Sequence, residues 1–186
     1  MFERLKGYVR RRRGNAEIVG ATMASLASAA RAPALYGPLG VADTVWGRFE
    51  MMALHVFLYQ HRAREGGSVL RDLAQEVVDA YFKELDHSLR ELGIGDASMP
   101  KRMKKLGRMV YGRWSAYDRP VNEDDRAALA AAFERNVYAE GGDATAAADL
   151  ADYALRARDA LRGQAEADLL RGRLSFPAPL ATAEAA

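Results

Sequence analysis

An all-α fold of about six or seven helices in a single compact domain is what this 186-residue sequence predicts. Apolar residues recur three and four apart through most of the chain, the spacing that lines one face of a helix. No segment alternates apolar and polar residues between hairpin turns. Glycine and proline fall in clusters between the periodic segments, as helix stops do. The length suffices for a real core, and the absence of cysteine excludes disulfide frameworks, thiolate metal sites and thiol nucleophiles.

The elements follow in order. Phe2 to Arg12 reads as a short basic helix stopped by Gly14, so residues 1–14 form a basic N-terminal helix of their own. Asn15 then caps a second helix with Ile18, Val19, Met23 and Leu26 on its greasier face, bounded by Pro33 because the residue before proline avoids helical angles. Residues 32–43 form a loop punctuated by Pro33, Gly37, Pro38 and Gly40. Asp43 or Thr44 caps a helix reaching about Glu65, with Val45, Phe49, Met52, Ala53, Val56 and Phe57 as its core stripe. Gly66-Gly67 ends it, and Ser68 caps a helix carrying Leu70, Leu73, Val77, Tyr81, Leu85, Leu89 and Leu92 up to Gly93. These two long helices are expected at the centre of the core.

Ser98, with Pro100 in the first turn, opens a helix reaching about Ala116, and Asp118, Arg119 and Pro120 break it. Asn122 caps the next helix, with Glu123, Asp124 and Asp125 against the positive end of its dipole. That helix continues through Leu129, Phe133 and Val137 to Gly141-Gly142. Asp143 opens a last helix carrying Leu150, Tyr153, Ala157 and Leu161. Residues 15–171 thus form the helical domain, and residues 172–186, which have no helical face, form a loose tail.

The longest stretch without a charge, Ile18 to Ala30, has thirteen residues, against about 20 for a bilayer span. Motifs for catalysis are scarce. Glu84 and His87 make one Glu-x-x-His, but a di-iron bundle needs a second copy and further inward carboxylates, and neither His55 nor His61 has a Glu three positions upstream. His55, on the apolar helix, reads as a partly buried imidazole bonded to a neighbouring carboxylate, with a haem-ligand role as the alternative. No glycine-rich phosphate loop and no nucleophile elbow occurs. No cofactor is expected.

Charge is more informative. The net charge is +2, yet residues 1–13 carry +5, residues 101–119 carry +6, and the rest of the chain carries −9. Two basic blocks set against an acidic body point to an anionic partner. At 100° per residue, Lys101, Lys104, Lys105 and Arg108 share one arc of a helix, while Met103, Leu106, Val110 and Trp114 lie opposite. Arg102 and Arg113 flank the apolar face on one side and Tyr111 on the other. Between Lys101 and Ala116 no acidic residue offsets the repulsion. These cations, Arg113 included, are the expected docking residues. The N-terminal block offers Phe2, Leu5, Tyr8 and Val9 with arginines around them, suiting a membrane interface or a nucleic-acid contact.

Three motif blocks carry a family resemblance: YGPLGVADTVWGRFEMMALHVFLYQHR, VVDAYFKELDHSLRELGIGD and MPKRMKKLGRMVYGRWSAYD, a series over residues 36–117 whose last block closes on Asp118. They contain Asp43, Arg48, Glu50, His55, Asp86, Arg90, Glu91, Asp96 and Tyr111 beside the basic cluster. This series resembles the ubiquinol–cytochrome c chaperones, assembly factors of the cytochrome bc1 complex. The resemblance implies a helical, non-enzymatic chaperone that binds newly made cytochrome b. In mitochondrial members it also implies a small partner subunit and contact with the ribosome near its exit tunnel. Without a long targeting extension the chain resembles the bacterial form, expected in the cytoplasm at the periphery of the inner membrane. The expected partners are cytochrome b, the ribosome or an anionic membrane surface, and no DNA. Glu50, Asp86 and Glu91 are expected to hold Arg48, Arg90 or the basic helix by ion pairs. Two other classes remain open from the residues alone: a helical metal- or haem-dependent quinone-related enzyme, and an RNA-binding module.

Overall fold

In the computed structural model the described backbone comprises residues 2–91, 93, 95–139, 141 and 144–180, with side chains described from Asn15 onward. Leu92, Asp143, residues 181–186 and the side chains of the basic block at 1–13 lie outside this set. Eight helices are present among the described residues: α1 (Phe2–Ala30), α2 (Pro33–Tyr36), α3 (Val45–Arg64), α4 (Ser68–Glu91), α5 (Met99–Glu123), α6 (Arg126–Asn136), α7 (Ala144–Gly163) and α8 (Glu166–Leu169). Six are long and two are single turns, and no described residue is in a strand.

Helix α3 is the hub, packed by α1, α4, α5 and α7, while α6 closes the far side against α5 and α7. The expected stripe on α3 is therefore too narrow. Met51, Leu54, Leu58, Tyr59 and Ala63 are buried along with Phe49, Ala53, Val56 and Phe57, whereas Val45 at its start is exposed. A helix surrounded by neighbours is apolar all round. Aromatic rings fill the space between α3, α5 and α6: Phe57 meets Tyr117 edge-on at 5.9 Å, and Tyr117 lies 4.9 Å from Phe133. Such pairs add about 0.5–1.5 kcal/mol each beyond their burial. Trp114 enters the same layer and donates its indole N–H to the Ala53 carbonyl at 3.0 Å.

The start of α3 is fixed by two features. Thr44 accepts from the Gly47 N–H at 3.1 Å, a standard N-cap. A Cβ on Gly47 would stand 1.9 Å from the Ala42 carbonyl oxygen, so only glycine permits this close approach. The preceding segment is not an open loop. Leu35, Leu39 and Val41 are buried around the single turn of α2, and the Tyr138 hydroxyl donates to the Leu39 carbonyl at 2.6 Å.

Several expected boundaries move. Helix α1 runs unbroken through Gly14, a residue that weakens a helix interior by only about 1 kcal/mol. Helix α5 continues through Pro120 and stops at Asp124, whose left-handed backbone (φ 55°) returns its N–H to the Pro120 carbonyl. The proline sits in the last turn and is buried, so its missing donor interrupts little of the helix. Asp125, not Asn122, caps α6, accepting from Ala128 N–H at 2.9 Å. Ser98 makes no side-chain cap and instead donates to the Gly95 carbonyl. Ser68 belongs to α4 itself, whose preceding Gly67 N–H is received by the Glu166 carboxylate at 3.1 Å.

The described part of the tail, residues 172–180, is a docked strap rather than a loose end. Gln164 donates to the Ser175 carbonyl at 2.8 Å and accepts from the Ser175 N–H at 3.0 Å. Phe176 packs edge-on to His55 at 5.1 Å. Gly172 presses so closely on α1 that a Cβ there would lie 2.8 Å from the Ala21 Cβ and 2.9 Å from the Ile18 carbonyl.

Candidate functional site

The first three turns of α5 hold the candidate surface. Lys101, Arg102, Lys104, Lys105 and Arg108 are all exposed, and with Ser98 they border a shallow depression of about 470 Å³. None of the five has an ion pair among the described residues. The helix is anchored by its opposite side, through buried Val110, Trp114, Tyr117 and Val121. No acidic residue stands in its first turn. Cations at a helix N-terminus oppose the macrodipole, at a cost typically of about 0.3–1 kcal/mol each. The row therefore has no partner carboxylate among the described residues, and at Lys101 and Arg102 the helix dipole opposes it as well.

Neighbouring residues aim this row. At the end of α4, Arg90 donates to Asp86 at 2.8 Å and also pairs with Asp96 in the turn leading into α5. That bridge ties the two helices where the basic turns begin. His87 and Glu91 form a further pair at 3.2 Å on the outer face of α4. Tyr111 continues the exposed face one turn beyond Arg108, with its ring stacked on Phe82 of α4 at 5.8 Å and edge-on to Trp114 at 5.3 Å. Tyr111 is 53% exposed, an aromatic platform beside the cations.

Arg113 does not join them. It was expected among the docking residues, but its side chain turns inward and pairs with Glu50 of α3, Nε to Oε2 at 2.5 Å and Nη2 to Oε1 at 2.5 Å. The two side chains are 12% and 2% exposed. Burial pushes the Glu50 carboxyl above the usual range, and the guanidinium draws it back only in part. The outer face of the same guanidinium lies 5.8 Å from the Trp46 ring. A carboxylate buried this deeply needs a cation beside it, and Arg113 supplies it. Asp43, just before α3, and Arg48, on its exposed side, pair at 2.7 Å, which holds the Asp43 carboxyl below its ordinary value.

His55 is fully buried and has no carboxylate neighbour of the kind expected. Its Nδ1 faces the Met51 carbonyl at 2.7 Å and its Nε2 faces the Tyr153 hydroxyl at 2.6 Å. A carbonyl can only accept, so Nδ1 carries the proton and Nε2 accepts from Tyr153. Burial lowers its pKa to about 4, which keeps the ring neutral. With both nitrogens engaged inside the core, the ring has no lone pair to offer a haem iron. Glu84 and His87 lie on the surface, and among the described residues no group of three or more His, Asp or Glu is placed to hold a metal ion. No described helix is long and apolar enough to cross a membrane.

Comparison with known proteins bears on this arrangement. Residues 38–176 match the family described as ubiquinol–cytochrome c chaperone. The match spans α3 to α7 and reaches Phe176 in the strap, so it extends well past the motif series at 36–117. The fold is similar to the crystal structure of the Cbp3 homolog from Brucella abortus, with a TM-score of 0.84 and 43% sequence identity. That likeness covers 93% of this chain and 96% of the other. No match was found among curated proteins. With its helical architecture, family match and close structural likeness, this chain belongs to the ubiquinol–cytochrome c chaperone family, whose role is chaperoning assembly of the cytochrome bc1 complex.

Proposed function

We propose that this chain binds newly synthesised cytochrome b and promotes its entry into the bc1 complex without catalysing a reaction, working in the bacterial cytoplasm at the inner membrane. The observation that carries the docking part of this reading is the unpaired row Lys101, Arg102, Lys104, Lys105 and Arg108 on an otherwise anchored helix. A membrane-protein client emerges where two polyanions meet, the ribosome and an anionic leaflet. Each Lys or Arg near an anionic leaflet contributes about 1 kcal/mol. Five of them are enough for reversible recruitment and too few for permanent anchoring. Tyr111 adds a ring at the edge of that surface, placed to sit at a headgroup layer or against an exposed base.

The test is the triple charge reversal K101E/K104E/K105E, expressed in cells lacking the native protein. The expected result is a loss of assembled bc1 complex, read from the b-type haem spectrum, with unchanged helical circular dichroism of the purified variant. Normal assembly by a folded triple variant would remove the docking role.

A further inference from the structure

The row on α5 has a geometry that narrows its partner. Helix α5 commits its apolar side to the core through Val110, Trp114, Tyr117 and Val121, so it has no apolar face left to bury in a bilayer. Over its first three turns the exposed residues are Pro100 and the five cations. At 100° per residue Lys101, Lys104, Lys105 and Arg108 share an arc of about 100°, and they run for about 10 Å along the helix axis. The depression between them is lined, among the described residues, by these four, Arg102 and Ser98, with no aromatic ring and no carboxylate. The carboxylates nearest in sequence are engaged: Asp96 with Arg90, Glu91 with His87, and Asp118 with Arg64.

Two polyanions compete for such a surface. Single-stranded nucleic acid is held by cations together with aromatic rings on which successive bases stack. Here one ring stands beside the row, and it is already occupied: Tyr111 packs on Phe82 at 5.8 Å and on Trp114 at 5.3 Å. Duplex RNA is gripped across successive grooves, a longer span than this row offers. A lipid headgroup layer asks less. It needs cations along one side of a rigid element and an amphipathic ring whose hydroxyl stays wet.

We propose that α5 lies along an anionic phospholipid leaflet, with Lys101, Lys104, Lys105 and Arg108 on lipid phosphates and Tyr111 at headgroup level. The inference rests on the docking reading above and commits it to lipid. Because the helix has no free apolar face to insert, binding is electrostatic and reversible, set by the negative charge of the leaflet and weakened by salt.

The experiment uses the full-length chain and sedimentation with vesicles. Vesicles of phosphatidylcholine and phosphatidylglycerol in equal amounts are expected to bind it at least about tenfold more tightly than phosphatidylcholine alone, with the difference lost in high salt. Lys101→Gln, Lys104→Gln and Lys105→Gln together are expected to weaken that binding about a hundredfold. Arg31→Gln, Arg135→Gln and Arg173→Gln, which remove the same charge from exposed positions on other elements, are expected to leave most of it.

Orientation is read separately. The chain has no cysteine, and Gly112, on the same arc as the row, has open space where a side chain would stand. Gly112→Cys therefore carries an environment-sensitive fluorophore without removing a cation. Its emission should shift to the blue on the phosphatidylglycerol vesicles, while the same label at Gly163→Cys, at the end of α7, should not respond. This reading leaves the row intact, so it decides the matter even where a triple variant fails to fold. Equal binding to both vesicle types, equal loss from the two triple variants, or an unchanged signal at position 112 overturns the proposal. If the vesicles fail while K101E/K104E/K105E still abolishes bc1 assembly in cells, the docking reading stands and lipid is removed as its partner. Row-dependent binding to RNA that is tighter than binding to the vesicles assigns the row to nucleic acid and overturns the proposal likewise.

Discussion

Cations at the end of α3 and cations at the start of α5 sit in opposite electrostatic settings. Arg62 and Arg64 occupy the last turn of α3, where the negative end of the dipole favours them. There Arg64 pairs with Asp118 at 2.5 Å, and Arg62 donates to the Leu161 carbonyl at the end of α7. Nearby, Arg162 pairs with Glu65 at 2.5 Å, and buried Arg158 donates to the Val121 carbonyl and pairs with Asp124 and Asp159. Among the described residues the five cations on the first three turns of α5 have no such partner, and Lys101 and Arg102 also sit at the wrong end of the dipole. The first group holds helices together, and the second is the row proposed above for docking.

This contrast can be broken most forcefully at the buried pair. Glu50→Ala strands Arg113 inside the protein and is expected to cost roughly 3–5 kcal/mol, measured as a fall in the urea midpoint. The double variant Glu50→Leu with Arg113→Met should recover most of that loss. A small effect of Glu50→Ala would mean that Arg113 simply swings outward to join the basic face.

Acid should act next most strongly, through the core histidines. His55 is neutral in the folded protein, with a pKa near 4, whereas the unfolded chain takes up its proton near 6.5. The stability it protects is complete above the unfolded value and is lost as pH falls from about 6.5 towards 4, amounting to about 3 kcal/mol. His61 is lowered in the same direction, first by burial. Urea midpoints measured between pH 7.5 and 4 should show this fall, and His55→Gln should flatten it.

Arg158→Ala should destabilise by roughly 2 kcal/mol, since it leaves the Val121 carbonyl without its donor. The smallest effect sharpens the comparison by its sign. Lys101→Gln together with Lys104→Gln should stabilise the protein by about 0.5–1 kcal/mol, because it relieves repulsion and the dipole mismatch. A loss of stability instead would show that these lysines serve the fold.

Elements defined by local rules were legible in the sequence. The Thr44 cap, the long α3 and α4, and the separation of basic arc from apolar face on α5 depend on residues a few positions apart. Features that depend on distant partners were not. Glu50 and Arg113 are 63 residues apart in sequence, and nothing in the spacing of α5 tells Arg113 from Arg108. Pro120 looked like a helix stop because its burial under neighbouring helices is a tertiary fact. The strap at 172–180 has no periodicity, and its place comes from Gln164 and the contact of Gly172 with α1.

That strap also sets a schedule. Its glycine clasps a helix encoded near the other end of the described chain, so this closure involves one of the longest loops in the molecule and is expected among the later folding steps. Until residues 172–180 have left the ribosome, α1 lacks this brace. A copy that has emerged only as far as α7 therefore holds α1 by fewer contacts, and the domain reaches its full stiffness only when this segment is in place.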